Sequence, residues 1–155
     1  MKFSLFILAI SAFGQSNLPS QVVFASASYT DHPGGKFAGT LSYATKLPAP
    51  ANCYNYDSLD IGLVKIQGKQ TFQQSTRVGG ACAIPQLSSG DVTVFVLATG
   101  GVTVANANML PSGAVGGLVA WRPKGKNWGA WGDVQSSNTT GKTARVGVLF
   151  GWGGK

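Results

Sequence analysis

The sequence predicts an all-β protein in which eight antiparallel strands, joined by short turns, form an up-and-down transmembrane β-barrel. Three observations favour this fold class. Val, Thr, Ser, Gly and aromatic residues dominate after the N-terminus, with 22 glycines and no glutamate in 155 residues, and such a composition suits strands better than helices. Turn-forming clusters recur at nearly even intervals. The last strand-like segment alternates as expected for a strand between lipid and a polar interior.

The first fourteen residues predict a secretory signal peptide. Lys2 gives a positive start, the apolar stretch runs from Phe3 to Phe13, and a small residue, Gly14, precedes the expected cut before Gln15. This stretch is too short to cross a bilayer as a helix, and no later apolar run reaches about 18 residues. We therefore expect one domain over 15–155 that meets a membrane, if at all, through its strands.

Seven turns divide this domain into eight strand candidates. All candidates except 128–135 reach or exceed the length of about 9 to 11 residues that a tilted strand needs to cross a bilayer. An even number of strands brings both termini to one end, as in bacterial barrels. The predicted turns lie at 31–35, 48–52, 67–69, 88–90, 106–113, 123–127 and 136–142. The predicted strands are 21–30, 36–47, 54–66, 71–84, 91–105, 113–122, 128–135 and 143–152.

The strand candidates differ in how cleanly they alternate. The first two alternate well, whereas the fourth is the weakest, because Gln74 and Thr76 share a face with Phe72 and Val78. The fifth is apolar on both faces, which also fits a buried strand of a soluble sandwich. Aromatic residues near strand ends or turns are expected to form girdles at the membrane interfaces. These residues are Phe37, Tyr43, Trp121, Trp128, Trp131 and Trp152.

The eighth candidate alternates throughout its length. One face carries Ala144, Val146, Val148, Phe150 and Trp152, and the other Thr143, Arg145, Gly147, Leu149 and Gly151. Because the first face would meet lipid and the second the lumen, we expect Val148→Arg to be poorly tolerated and Gly147→Ser to be tolerated.

The pattern Arg145-x-Gly147-x-x-Phe150-x-Trp152 resembles the terminal assembly signal of bacterial outer-membrane barrels, although three residues follow its last aromatic. The mature chain as a whole resembles the small eight-stranded OmpA/OmpX-type barrels. This resemblance implies a location in the bacterial outer membrane, contact with outer-membrane lipid and insertion by the barrel-assembly machinery. It also implies a packed or narrowly hydrated lumen. Proteins of this class have structural, adhesive or lipid-modifying functions, and because the residues offer little support for catalysis we expect a monomer with a structural or cell-surface role and no catalytic activity.

The two cysteines predict a disulfide across the third and fourth strands. In a hairpin with a two-residue turn at 67–68, paired residues have numbers that add up to 135, and Cys53 and Cys82 meet this condition. A turn shifted by one residue would remove the match. Export to an oxidising compartment would allow the bond to form, and the absence of a C-x-x-C spacing argues for a structural role.

The same register predicts an ion pair in the lumen. Asp60 lies opposite Ser75 and diagonal to Arg77, within reach of an ion pair. The lumen of a small barrel is filled by side chains, so its charges should neutralise one another. Arg122 and Arg145 are expected to join this network from other strands.

Two further readings stay open at the level of sequence. One is a secreted soluble β-sandwich that binds carbohydrate or a surface through Trp128 and Trp131. The other is a lipid-modifying outer-membrane enzyme, in which His32 would work with Ser112 or Ser137. A single histidine and five scattered aspartates predict no metal site and no cofactor. The net charge of +7 forms no basic stripe with interleaved aromatics, which argues against nucleic acid.

Overall fold

The computed structural model describes residues 19–30, 35–48, 52–66, 69–105 and 107–152. The predicted signal peptide, His32 and the turn at 67–68 lie outside these residues. The strands are β1 (Gln21–Thr30), β2 (Gly35–Lys46), β3 (Cys53–Ile66), β4 (Lys69–Ala83), β5 (Val92–Ala105), β6 (Asn108–Trp121), β7 (Trp128–Ser137) and β8 (Gly141–Trp152). A 3-10 helix, Pro85–Leu87, precedes β5, and the described segments contain no helix long and apolar enough to cross a membrane.

The eight strands form one closed antiparallel barrel. Each strand pairs with its neighbour in sequence, and β8 pairs with β1. The predicted eight-stranded up-and-down barrel is therefore confirmed, and the sandwich alternative is wrong. In the fifth strand, Phe95 and Leu97 point into the core and Val96 lies on the outer wall. Both surfaces are apolar, which explains why this strand is apolar on both faces.

The strands are strongly tilted. A row of paired residues starts at Gln21 and passes through Thr45, Asn55, Gly80, Ala98, Val115, Ser136 and Lys142. Since Thr143 pairs with Thr30, this row returns to β1 ten residues beyond its starting point. A shear of ten over eight strands raises a row by about one and a quarter residues per strand and tilts the strands by about 40°. The register thus allows the heights of residues on different strands to be compared.

The sixth strand begins earlier than expected. A turn was predicted over 106–113 because this segment contains Asn, Pro, Ser and Gly, but β6 already starts at Asn108, and Pro111 pairs with Val102. On its other side β6 pairs with β7 only from Ala114 onwards. Pro111 therefore lies where β6 extends past its neighbour, and its missing N–H removes no hydrogen bond to β7.

The two faces of the strands differ as predicted for the last strand. Arg145 and Leu149 are buried in the lumen, whereas Val146, Val148 and Phe150 are exposed on the outer wall. In β4, Gln74 and Thr76 share the outer wall with Phe72 and Val78, as the parity of that strand requires.

An apolar core fills the half of the lumen nearest the chain termini. Its members are Val22, Phe24, Ala44, Tyr54, Tyr56, Ala81, Ala83, Phe95, Leu97, Leu118, Ala120, Trp131 and Leu149. The prediction that Trp131 belongs to an interface girdle is wrong, because its odd position on β7 points inward, opposite to that of Trp128. Trp131 is 3% exposed and packs edge-on against Phe24, with ring centroids 5.1 Å apart.

Inward-facing glycines allow neighbouring strands to approach closely in this narrow barrel. A Cβ atom at Gly147 would overlap the carbonyl oxygen of Ala25 and the Cα of Ser26 on β1. Gly79, Gly101, Gly116 and Gly129 stand in the same relation to the backbones of their neighbours. The expectation that Gly147 tolerates serine is therefore wrong, because the space on the lumen side is occupied by backbone and not by water or movable side chains.

The connections differ between the two ends of the barrel. At the end that carries the chain termini, β4 and β5 are joined by residues 84–91, and β6 and β7 by 122–127. At the opposite end the strands are separated by the shorter stretches 31–34, 67–68, 106–107 and 138–140. Bacterial barrels usually have their short turns at the terminal end and their long loops opposite. This chain has the reverse arrangement.

Candidate functional site

Four charged side chains form a neutral network in the middle of the lumen. Arg77 forms an ion pair with Asp60, and Arg145 reaches both Asp60, at 3.2 Å, and Asp133. All four side chains are at most 15% exposed. Two guanidinium groups thus balance two carboxylates, which reduces the cost of holding charges away from water.

Arg145 is the centre of this network. Its Nε donates to both oxygens of Asp133, at 2.9 and 3.1 Å. Its Nη2 donates to the hydroxyl of Tyr56 at 3.4 Å, and its guanidinium lies 5.5 Å from the ring centroid of Trp131. Because its partners lie on β7, the neighbouring strand, and on β3, across the lumen, Arg145 links opposite sides of the barrel.

Neutral side chains complete the hydrogen bonds of the two carboxylates. Thr40 donates to Oδ1 of Asp60 at 2.6 Å, and Gln135 donates to Oδ2 of Asp133 at 2.8 Å. The hydroxyl of Tyr56 donates to Oγ of Ser42 at 2.9 Å. Carboxylates that accept several hydrogen bonds tolerate burial better than isolated ones.

The sequence located part of this site. The predicted ion pair of Asp60 and Arg77 is present, and Arg145 joins it as expected. Arg122 does not, because it lies beyond the end of β6, where its Nη1 donates to the carbonyl of Lys126 at 2.6 Å. Asp133 was missed, although its parity with Trp131 on β7 and its pairing with Arg145 could have indicated it.

Uncharged layers lie on both sides of the charged network. Towards the terminal end is the apolar core, in which the ring centroids of Tyr54 and Phe95 are 5.9 Å apart. Towards the opposite end, the hydroxyl of Thr139 lies within hydrogen-bonding distance of those of Thr103, Ser112 and Ser137. Side chains therefore fill the described lumen in three layers: apolar, charged and hydroxyl-rich.

The outer wall is apolar and ends in an aromatic girdle. Trp121, Trp128, Phe150 and Trp152 are all exposed outward. The register and the shear of ten give the position of each residue along the barrel axis. All four side chains lie within about one residue of the level of Gln21, at the terminal edge of the wall. The ring centroids of Trp121 and Trp128 are 6.2 Å apart. Of the predicted girdle members, Tyr43 also faces outward, and the side chain of Phe37 is outside the described set.

The residues of the predicted assembly signal occupy both faces of the closing strand. Phe150 and Trp152 are half exposed on the outer wall, whereas Arg145 lies in the charged network and Gly147 against β1. This strand therefore combines three structural tasks, namely closure of the barrel, neutralisation of the lumen and contact of the girdle with its surroundings.

The predicted disulfide is present. Cys53 and Cys82 are bonded and face each other across β3 and β4, and the full hairpin register agrees with the predicted one. The bond lies at the terminal end of the barrel, away from the charged network, and joins the first residue of β3 to the last residue but one of β4.

The proposed catalytic serine Ser112 has another role. It is buried on the inner face of β6 and shares a hydrogen bond of 2.9 Å with Thr139, so its hydroxyl belongs to the interior packing. No group of three or more His, Cys, Asp or Glu side chains comes together within the described segments.

No family model, curated protein or solved structure matches this chain. The class of protein is consequently defined by its own geometry. It is a closed eight-stranded antiparallel barrel with a neutral charged network inside, an apolar outer wall and an aromatic girdle at the terminal edge of that wall.

Proposed function

We propose that this protein is a small integral barrel of the bacterial outer membrane, with a structural or cell-surface role and no catalytic activity. The observation that carries this proposal is the inverted distribution of polarity. Soluble proteins bury apolar side chains and expose charged ones. Here Arg77, Asp133 and Arg145 are buried, while large side chains such as Val146 and Phe150 are exposed.

The outer wall is too extensively apolar for a soluble monomer. Contiguous exposed apolar patches on soluble proteins rarely exceed a few hundred Å², whereas here exposed large apolar residues occur on all eight strands. Hydrocarbon surrounding the barrel accommodates such a wall, and the aromatic girdle suits the boundary between hydrocarbon and headgroups. Closure of the barrel gives every strand a hydrogen-bonded neighbour on both sides, as a bilayer requires.

The filled lumen favours a structural role over a channel. The network of Asp60, Arg77, Asp133 and Arg145 crosses the barrel between an apolar and a hydroxyl-rich layer. Channel-forming barrels are wider and keep a water-filled interior. The very short connections at the end opposite the termini also offer little surface for specific adhesion.

Fractionation and refolding test this proposal. The chain expressed with residues 1–14 in a Gram-negative host should co-sediment with outer membranes and resist extraction by sodium carbonate. Protein refolded into phospholipid vesicles should migrate differently on gels with and without boiling, and it should conduct no steady ion current in planar bilayers. Recovery of folded protein in the periplasm without detergent would overturn the proposal, and steady conductance would overturn its structural part.

A further inference from the structure

Among the described strands, the outer wall carries one acidic side chain, Asp57 on β3. Asn55 and Asp57 both face outward from β3, and Nδ2 of Asn55 donates to Oδ2 of Asp57 at 3.1 Å. Asp57 pairs in register with Tyr43 on β2 and Val78 on β4. Within the described part of the chain, Asp57 takes part in no ion pair. This carboxylate is therefore a charge on the wall that the proposed function assigns to lipid.

The pair lies well inside the apolar band. The row of paired residues that starts at Gln21 on β1 reaches Asn55 on β3, and Asp57 lies two residues beyond Asn55 on the same strand. With the shear of ten, this places Asp57 at about the height of Ala25 and Ser26, the middle of β1. Asn55 lies about two residues lower. The aromatic girdle is near the height of Gln21, so Asp57 cannot belong to the interface at that edge.

Lipid is a poor partner for these groups. Ionisable residues within a membrane are uncommon and usually face protein or water instead of hydrocarbon. The Asn55–Asp57 pair retains unused capacity, since the amide has a second N–H and the carboxylate further lone pairs. Such a pair is self-complementary, because it can offer a donor and an acceptor to an identical pair.

We propose that the wall formed by β3 and β4 packs against the same wall of a second copy, so that the barrel is a two-fold symmetric dimer in the membrane. This inference rests on the proposed membrane location and replaces the monomer expected from sequence. A two-fold axis along the membrane normal keeps each residue at its own height in both copies. Each Asn55 can then donate its second N–H to the partner copy's carboxylate, in an arrangement that repeats itself under the symmetry.

The surface around the pair has a shape that suits close contact. Gly80 is exposed next to Asn55, with which it pairs, and offers no side chain to hold a partner away. Beside it runs a shallow groove of about 270 Å³, lined on the outer wall by Leu41, Tyr43, Leu59, Thr76 and Val78 around Asp57. Apolar side chains of a second wall can enter this groove while the polar pairs meet. Small residues that allow close approach, combined with polar side chains, are typical of interfaces within membranes.

Substitution of Asp57 tests the polar contact. Sedimentation equilibrium in density-matched micelles, on refolded protein with a heat-modifiable band, should show a dimer for the wild type. Asp57→Asn keeps the hydrogen-bonding geometry and should remain dimeric. Asp57→Leu gives the wall ordinary lipid-facing character, so the barrel should fold at least as well, but its dimer should weaken by about tenfold or more.

Glycine substitutions test the wall independently. At Gly80 a Cβ would lie 3.9 Å from the carbonyl oxygen of Tyr54, so Gly80→Leu fits the single barrel but fills the proposed interface. Gly117 on β6 is a matched control, two strands away from Gly80. It is also exposed, lies at about the height of Asp57, and its Cβ would lie 3.7 Å from the carbonyl oxygen of Phe95. Gly80→Leu should abolish the dimer, whereas Gly117→Leu should leave it unchanged.

The outcomes separate this inference from the proposed function. Wild-type protein that folds into vesicles but remains monomeric at high protein-to-detergent ratios would overturn the dimer and leave the membrane barrel intact. A dimer that is unaffected by both Asp57→Leu and Gly80→Leu would overturn the assignment of the interface to this wall. Failure of the wild type to fold into vesicles at all would count against the membrane location itself.

Discussion

Removal of one charge from the lumen network should destabilise the barrel more than removal of two opposite charges. Arg145→Met leaves Asp133, whose side chain is 0% exposed, with the amide of Gln135 as its donor. Asp133→Leu leaves Arg145 with Asp60 at 3.2 Å. The first variant gives the network a net negative charge and the second a net positive one. Truncating one partner of a buried ion pair costs about 3–5 kcal/mol, and we expect Arg145→Met to lie at the upper end.

The double variant restores neutrality. With both changes, Asp60 and Arg77 remain as a matched pair, and Thr40 still donates to Asp60. Replacing a whole buried pair by apolar side chains of similar volume is often neutral. The lost donation to Tyr56 and the amide of Gln135 left unpaired should still cost about 1–3 kcal/mol. We therefore expect the double variant to be more stable than Arg145→Met alone.

Urea unfolding in phospholipid vesicles provides the assay. Tryptophan fluorescence and heat-modifiable gel migration should give coincident transitions, from which the free energy of unfolding follows for the wild type, both single variants and the double variant. Refolding in vitro separates stability from any effect of Arg145 on assembly in cells. If the losses of the two single variants simply add up in the double variant, the network is not coupled and the reasoning fails.

Three further predictions concern the wall, the disulfide and assembly. Gly147→Ser should lower the free energy of unfolding by about 1–3 kcal/mol, because the added Cβ meets the backbone of β1. Val148→Arg should lower it by about 2–4 kcal/mol, because the arginine would face lipid. A Gly147→Ser barrel with wild-type stability in vesicles would contradict the close approach of β8 to β1. Cys82→Ser should lower stability by up to about 3–4 kcal/mol without abolishing folding, from a crosslink that spans 29 residues, whereas free-thiol labelling of both cysteines in exported protein would argue against the bond. Phe150→Ala combined with Trp152→Ala should leave the chain in the periplasm, while exchange of these two aromatics should preserve insertion; outer-membrane levels equal to wild type for the double alanine variant would rule out the assembly signal.

Much of the fold follows from local sequence signals. Strand alternation has a period of two, so the face of every residue in β8 could be assigned before its neighbours were known. The hairpin register followed from a two-residue turn and the positions of Cys53 and Cys82, and it brought Asp60 next to Arg77. These inferences depend only on residues close in sequence or joined by one turn. For this reason they agree with the structure.

The errors arose where a second neighbouring strand decided the outcome. Asn108–Gly113 has turn-like composition, yet it continues β6 because β5 pairs with it and β7 does not reach it. Gly147 has the parity of a tolerant lumen position, but the backbone of β1 occupies the space beside it. Composition carries no information about how far one strand extends past another or how closely two backbones approach.

The sequence alone determined the strand count, the polarity of the two faces, the disulfide and one ion pair, because each depends on periodicity or on a single hairpin. Only the tertiary structure decided that Arg145 meets Asp60 across the lumen and that Asp57 stands in the middle of the outer wall. Those positions depend on closure of the barrel and its shear of ten. The physical reason is that closure sets the height of each strand relative to all the others, and no local segment contains that quantity.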